Sequence, residues 1–221
     1  VLYSGTGNAQ SVTGVGFQPD WVWLKRRSGV QNNNVFDAVR GNTKLLATNT
    51  ADAEGTVSQW LNSFDSDGFT VGTAGNVSAN GETNVAWNWK AGNATLGTGD
   101  FTQGSTASTC SRNVDAGFSI VSWSGTGSAA TIGHGLSKKP EMIIVKRRDD
   151  AAGWRVFHDA NAANYHLVLD STAARASSSS IFNNTEPTAS LFTVGSGGST
   201  NASSGTFIAY CFHSVDGYSK V

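Results

Sequence analysis

The amino-acid sequence predicts an all-β protein built as two tandem, homologous β-sandwich-like modules with long loops rich in Gly, Ser, Thr and Asn. Three observations predict it. The chain repeats itself, its apolar residues fall in short runs rich in β-branched and aromatic types, and Gly, Asn, Asp and Ser separate those runs.

The repeat sets the boundaries. Tyr3–Ala9 (YSGTGNA) recurs as Trp123–Ala129 (WSGTGSA), and Pro19–Arg27 (PDWVWLKRR) recurs as Pro140–Arg148 (PEMIIVKRR). Val35-Phe36 matches Val156-Phe157, Phe69–Gly72 matches Phe192–Gly195, and Ala86–Lys90 (AWNWK) matches Ala209–His213 (AYCFH). The offset between matched positions drifts by only a few residues, as a duplication would leave it. The first module is therefore expected over 1–92 and the second over 117–221. The Gly/Thr/Ser-rich stretch 93–116 between them reads as a linker.

Each block then has an expected place. Trp21–Leu24 and its partner Met142–Val145 are apolar on both faces, as a central strand is. Within Glu54–Phe64 the spacing of Val57, Trp60, Leu61 and Phe64 permits a short helix, although the second copy is Ser-rich there. Asp65–Gly68 (DSDG) reads as a turn feeding the strand at Phe69. Alternation puts Val85, Trp87 and Trp89 on one face, and Ile208, Tyr210 and Phe212 on the matching face. Large apolar side chains occupy that face in both copies, so it is the expected core face, with Trp87, Trp89, Tyr210 and Phe212 largely buried.

The chain ends fall in phase with the repeat. Val1 aligns with Val121, and Asp216–Val221 matches the lead-in Asp115–Val121 with one residue fewer. Either the natural polypeptide continues in both directions, or a neighbouring subunit completes the strand by β-augmentation. Gly217–Val221 is accordingly expected to be sheet-paired, with further polypeptide preceding Val1.

Composition narrows the function classes. Charged residues make up 14% of the chain, against about 25% in an ordinary soluble domain, and the net charge is −1. No basic excess draws the chain to nucleic acid or an anionic membrane, and no apolar run approaches the roughly 18 residues that span a bilayer. The two cysteines, Cys110 and Cys211, allow at most one bridge.

Candidate chemistry is sparse. Asp65 and Asp67 alternate as the first ligands of a Ca²⁺ loop do, but the later ligands of that loop are missing, and a β-turn accounts for the same residues. The four histidines, His134, His158, His166 and His213, all lie in the second module. Lys or Asp replaces three of them at matching positions in the first, which predicts exposed polar sites and no catalytic or zinc centre. Lys25–Arg27 and Lys146–Arg148 end core strands, where they can blunt a strand end or form inter-module ion pairs. The Gly-Thr-Gly turns lack the lysine of a phosphate-binding loop. Trp60 and Trp154 fall in or beside loops, where an exposed indole can stack on a sugar ring or anchor a partner, or fold back over the sandwich edge. No catalytic residue and no cofactor is expected.

The blocks Tyr3–Gly7, Trp21–Arg27, Ser63–Gly72, Ala86–Gly92 and His213–Tyr218 resemble a repeated β-rich module of unassigned function. That module is found in tail-fibre-like and other virion structural proteins of phages, especially marine ones. The resemblance covers nearly the whole chain; it implies a virion, extracellular setting and carries no binding residues. The turn before Phe192 departs from the pattern, reading Asn184–Ser190 (NTEPTAS). The expected function is thus a non-enzymatic structural component of a phage virion: fibre, tail or capsid decoration. The alternative is a carbohydrate-binding adhesin contacting the host cell surface. Expected partners are other virion subunits or copies of itself, and host surface glycans under the alternative, with no nucleic acid and no membrane insertion.

Overall fold

A computed structural model describes residues 1–221. The chain is all-β and sandwich-like. In the first half the strands are β1 (Leu2–Ser4), β2 (Gln10–Val12), β3 (Trp21–Arg26), β4 (Asn34–Asp37), β5 (Gly41–Ala47), β6 (Gly55–Thr56), β7 (Leu61–Asp65) and β8 (Gly68–Val71), followed by the one-turn helix α1 (Gly75–Ser78) and β9 (Thr83–Trp89). The second half has β10 (Ser108–Asn113), β11 (Phe118–Ser124), β12 (Ala130–Gly133), β13 (Met142–Arg147), β14 (Arg155–His158), β15 (Tyr165–Val168) and β16 (Ala176–Ser177). It closes with α2 (Ser179–Phe182), β17 (Leu191–Val194), α3 (Gly198–Asn201) and β18 (Thr206–Phe212).

The strands form two large antiparallel sheets, ordered β1-β9-β3-β4-β5-β6 and β10-β11-β18-β13-β14-β15-β16. Read from β11, the second order runs position by position like the first. The registers agree too: Trp21 stands opposite Trp89 and Trp23 opposite Trp87, as Met142 stands opposite Phe212 and Ile144 opposite Tyr210. As expected for strands apolar on both faces, β3 and β13 each lie between two neighbours. Two small sheets, β2-β8-β7 and β12-β17, complete the fold.

Alternation along β3 shows how the layers stack. Val22 and Leu24 join Phe36, Phe69, Val71 and Ala86 in a core shared with β2-β8-β7. Trp21, on the opposite face, joins Val35, Leu46, Phe118, Ile144, Ile208 and Tyr210 in a core between the two large sheets. Across the second sheet, Val121, Ile143, Phe207 and Ala209 pack on β12 and β17. Two large sheets therefore meet face to face, and each carries a small sheet on its outer side.

That arrangement corrects several expectations. The face of Trp87, Trp89, Tyr210 and Phe212 meets the other large sheet, not the small sheets. On it Tyr210 is fully buried and Trp89 and Phe212 are half-buried, whereas Trp87 stays 48% exposed, edge-on to Trp23. Alternation says which residues share a face; it does not say how far the covering sheet reaches. The segment 93–116, expected as a linker, contains β10, which pairs with β11 along its whole length, and it buries Phe101 in the second core. Glu54–Phe64 holds β6 and β7 and no helix. Val215 and Ser219 bridge each other in a local turn, so Gly217–Val221 does not pair with a large sheet.

These burial differences set an expected contrast. Trp21→Ala empties a fully enclosed aromatic site and lowers stability by about 3–5 kcal/mol in urea unfolding. Trp87→Ala, at the exposed β9 position opposite Trp23, costs less than about 1 kcal/mol.

Candidate functional site

Two polar constellations lie between the large sheets. The first is a buried seam. Asp37, ending β4, and Arg40, in the turn before β5, have side chains fully removed from solvent. The Arg40 guanidinium pairs with the Asp37 carboxylate and donates to the Val35 and Lys44 carbonyls at 3.2 and 2.9 Å. Tyr210 comes from β18 in the other sheet; its hydroxyl donates to Asp37 Oδ2 at 2.7 Å and accepts from Arg40 Nη2 at 3.3 Å. Glu54 extends the seam, accepting from Arg40 at 3.2 Å and from both ends of the Arg148 fork at 2.8 and 3.0 Å. The second cation triplet thus supplies an inter-sheet ion pair, as its position at a strand end allowed. Lys146 beside it is buried, donating to the Ala51 and Ala152 carbonyls at 3.0 and 2.7 Å.

Ionisation follows from these contacts. Burial would weaken the charge on Arg40, but Asp37 beside it overrides that and raises its pKa. Burial raises the Tyr210 hydroxyl well above its ordinary range, so it stays a donor. For Glu54, burial acts upward, yet the hydrogen bonds and charges of Arg148 and Arg40 bring its carboxyl below the usual value. Burial pushes Lys146 down to about 8.

The second constellation is a cavity of about 530 Å³ at one end of the inter-sheet layer. Trp21 and Trp23 from β3 and Trp89 from β9 form one wall, and Phe118, Ile144 and Phe212 form the other. Trp21 ties cavity to seam, stacking on Tyr210 with ring centroids 4.3 Å apart. Tyr218, in the C-terminal turn, stands at the cavity with 72% of its surface exposed. Glu141 holds that turn by accepting from the Ser214 amide at 2.9 Å and from its hydroxyl. Gly117 lets the end of β18 pass close by, since a Cβ there would stand 2.5 Å from the His213 carbonyl, and its φ of +67° favours glycine.

Four buried polar atoms of cavity-lining residues have no hydrogen-bond partner in the protein: Trp21 Nε1, Trp23 Nε1, Asn88 Oδ1 and His213 Nε2. The indole nitrogens are donors and the amide oxygen is an acceptor. His213 Nδ1 lies 2.9 Å from the Ser214 carbonyl oxygen, which only accepts, so Nδ1 carries the proton in that contact.

The residues singled out from sequence lie elsewhere. Trp154 is wholly buried in the inter-sheet core and donates its indole N–H to the Ala47 carbonyl at 2.9 Å, which removes it from any ligand surface. Trp60 is half-buried against the first core, away from the cavity. Asp67 accepts the Gly14 and Gly16 amides at 3.0 and 2.6 Å, and Asp65 accepts the Thr70 hydroxyl at 2.7 Å; both carboxylates hold the β7–β8 hairpin and its neighbouring loop. The histidines are not the exposed sites expected, for His134, His166 and His213 are buried. His134 accepts the Leu136 amide and reaches the Thr188 carbonyl, and burial lowers it to about 4. Cys110 and Cys211 are unbridged in the second core. No three His, Cys, Asp or Glu side chains group as metal ligands would, and no helix is long and apolar enough to cross a membrane.

All 221 positions, 1–221, match a family described as a domain of unknown function, DUF7483. The chain belongs to the DUF7483 family. Searches of curated proteins and of solved structures each found no match.

Two outcomes follow from the seam. Arg40→Ala strands the Asp37 carboxylate in the core and costs about 3–5 kcal/mol in chemical unfolding, while joint replacement by Asp37→Asn and Arg40→Met costs less than the single change. Because the folded pKa of Glu54 is depressed, its contribution is fully present above the ordinary glutamate value of 4.5 and fades as pH falls through the lower folded value. The stability gap between the native chain and Glu54→Gln therefore closes only in acid, which unfolding at stepped pH measures.

Proposed function

We propose that this DUF7483 chain is a tandem pair of β-sandwich-like modules serving as a non-enzymatic structural component of a phage virion, in a fibre, tail or capsid decoration. The observation that carries this reading is the buried seam. Asp37, Arg40, Tyr210, Glu54 and Arg148 are engaged with one another across the two large sheets, so the buried charge welds the halves together. A particle component exposed outside cells needs a block of this kind, in which neither half opens alone. The matching strand orders and registers support the tandem-module reading, and the sequence blocks support the phage setting. Its partners would be other virion subunits or copies of itself.

Peptide mass spectrometry on gradient-purified particles of a phage encoding the chain tests this. Peptides from both 1–92 and 117–221 are expected, in a fixed ratio to the major structural proteins. Recovery only in the soluble lysate, with none on particles, would overturn the proposal.

A further inference from the structure

We infer that the outer edge of β9 is a docking site for one added strand, donated by the segment Gly217–Val221 of a second copy of this unit. The inference does not rest on the virion setting, so particle association and strand addition can fail separately.

The two large sheets differ at matching edges. Along β18, β11 pairs from Phe118 to Ser124, opposite Phe212 to Thr206. Along β9, β1 pairs only from Leu2 to Ser4, opposite Val85 to Thr83, and Val1 exchanges hydrogen bonds with Ala86 in both directions. The edge beside Trp87, Asn88 and Trp89, which match Tyr210, Cys211 and Phe212, carries no strand. Main-chain groups of an antiparallel strand alternate between its two edges. Those of Asn88 therefore point the same way as those of Ala86, into this gap. An open edge of that kind is a template for another strand.

The repeat says what fits there. β11 supplies Phe118 to the inter-sheet layer, with its ring centroid 5.8, 6.5 and 4.9 Å from those of Trp21, Trp89 and Phe212. Exchanging each of the three for its match in the repeat gives Met142, Phe212 and Trp89, and all of these line the cavity. The cavity is thus the place of a second Phe118, on a strand that the first sheet lacks. Gly117–Val121 (GFSIV) recurs as Gly217–Val221 (GYSKV). Laid on β9 in the β11 register, that segment brings Tyr218 to the cavity, Ser219 opposite Asn88 and Lys220 opposite Trp87. Trp87 is 48% exposed where its match Tyr210 is enclosed; a lysine stem laid across it would cover the indole and bring a cation to its face. The donor segment is lightly held in its own unit. Tyr218 is 72% exposed, and the Val215–Ser219 bridge and the Val221 amide donating to the Ser214 hydroxyl are local contacts.

The test separates donor from acceptor. The acceptor is the full chain carrying Tyr218→Ser, whose exposed position keeps it folded and whose own segment then cannot compete. The donor is a synthetic peptide of residues 214–221 (SVDGYSKV), which contains no tryptophan, so the indoles of the acceptor report binding by fluorescence. A saturable change is expected. Replacing the peptide's tyrosine, Tyr218→Ala, should weaken binding roughly tenfold, equivalent to about 1.4 kcal/mol. Ser219→Pro in the peptide removes the N–H that faces β9 and should weaken it at least as much. Trp87→Ala in the acceptor should weaken it several-fold. In sedimentation velocity the unsubstituted chain should form multimers that grow with concentration and dissolve with excess peptide, whereas Tyr218→Ser stays monomeric. No saturation at millimolar peptide would overturn the inference. So would equal binding of the Ser219→Pro peptide, or an unsubstituted chain that remains monomeric at every concentration.

Discussion

The Tyr210 hydroxyl, set between the Asp37 carboxylate and the Arg40 guanidinium, is the contact on which the rest of the molecule depends. A buried carboxylate and guanidinium are costly to remove from water, and their mutual attraction offsets that cost only when the remaining lone pairs and protons are also engaged. Within the first sheet, Asp37 and Arg40 satisfy each other incompletely. Tyr210 arrives from the second sheet to complete them, so the first half buries its charge well only with the second half docked. Arg148 then completes Glu54 by the same logic. The seam is thus a condition for both halves as well as a bond between them.

Trp21 carries this constraint into the apolar layer. Its ring stacks on Tyr210 at 4.3 Å and also packs on Trp89 and Phe118, at 4.4 and 5.8 Å. Fixing Tyr210 by its hydroxyl fixes Trp21 by its face, and Trp21 is the inner wall of the cavity. The cavity's shape is therefore set by a network that the cavity itself does not contain. The outer side is held more lightly, by the 215–219 turn and its Glu141 contact. The cavity thus has a rigid inner wall and a more lightly held outer rim.

Strand positions, the central place of β3 and β13, and the inter-sheet use of Arg148 were legible in the sequence. Each rests on a local signal: period-two alternation, apolar residues on both faces, or long cations at a strand end. The site was not legible, for a physical reason. Trp21, Trp87, Trp89 and Trp154 look alike as sequence, and what separates them is how far one sheet covers the other. Tyr210 and Trp87 hold matching positions, yet the first is enclosed by the seam and the second is left at an edge. The histidines misled in the same way. Exchange for Lys or Asp at matching positions implies solvent only if both environments are alike, and Asp37 itself, opposite His158 in the repeat, is fully buried.

The most direct test of this account is differential scanning calorimetry of the intact chain, since a seam shared by both halves leaves neither able to unfold alone. The account predicts one endotherm whose calorimetric and van't Hoff enthalpies agree. Two resolved endotherms, or a calorimetric enthalpy near twice the van't Hoff value, would mean that the halves melt independently and that the seam does not bind them into one body.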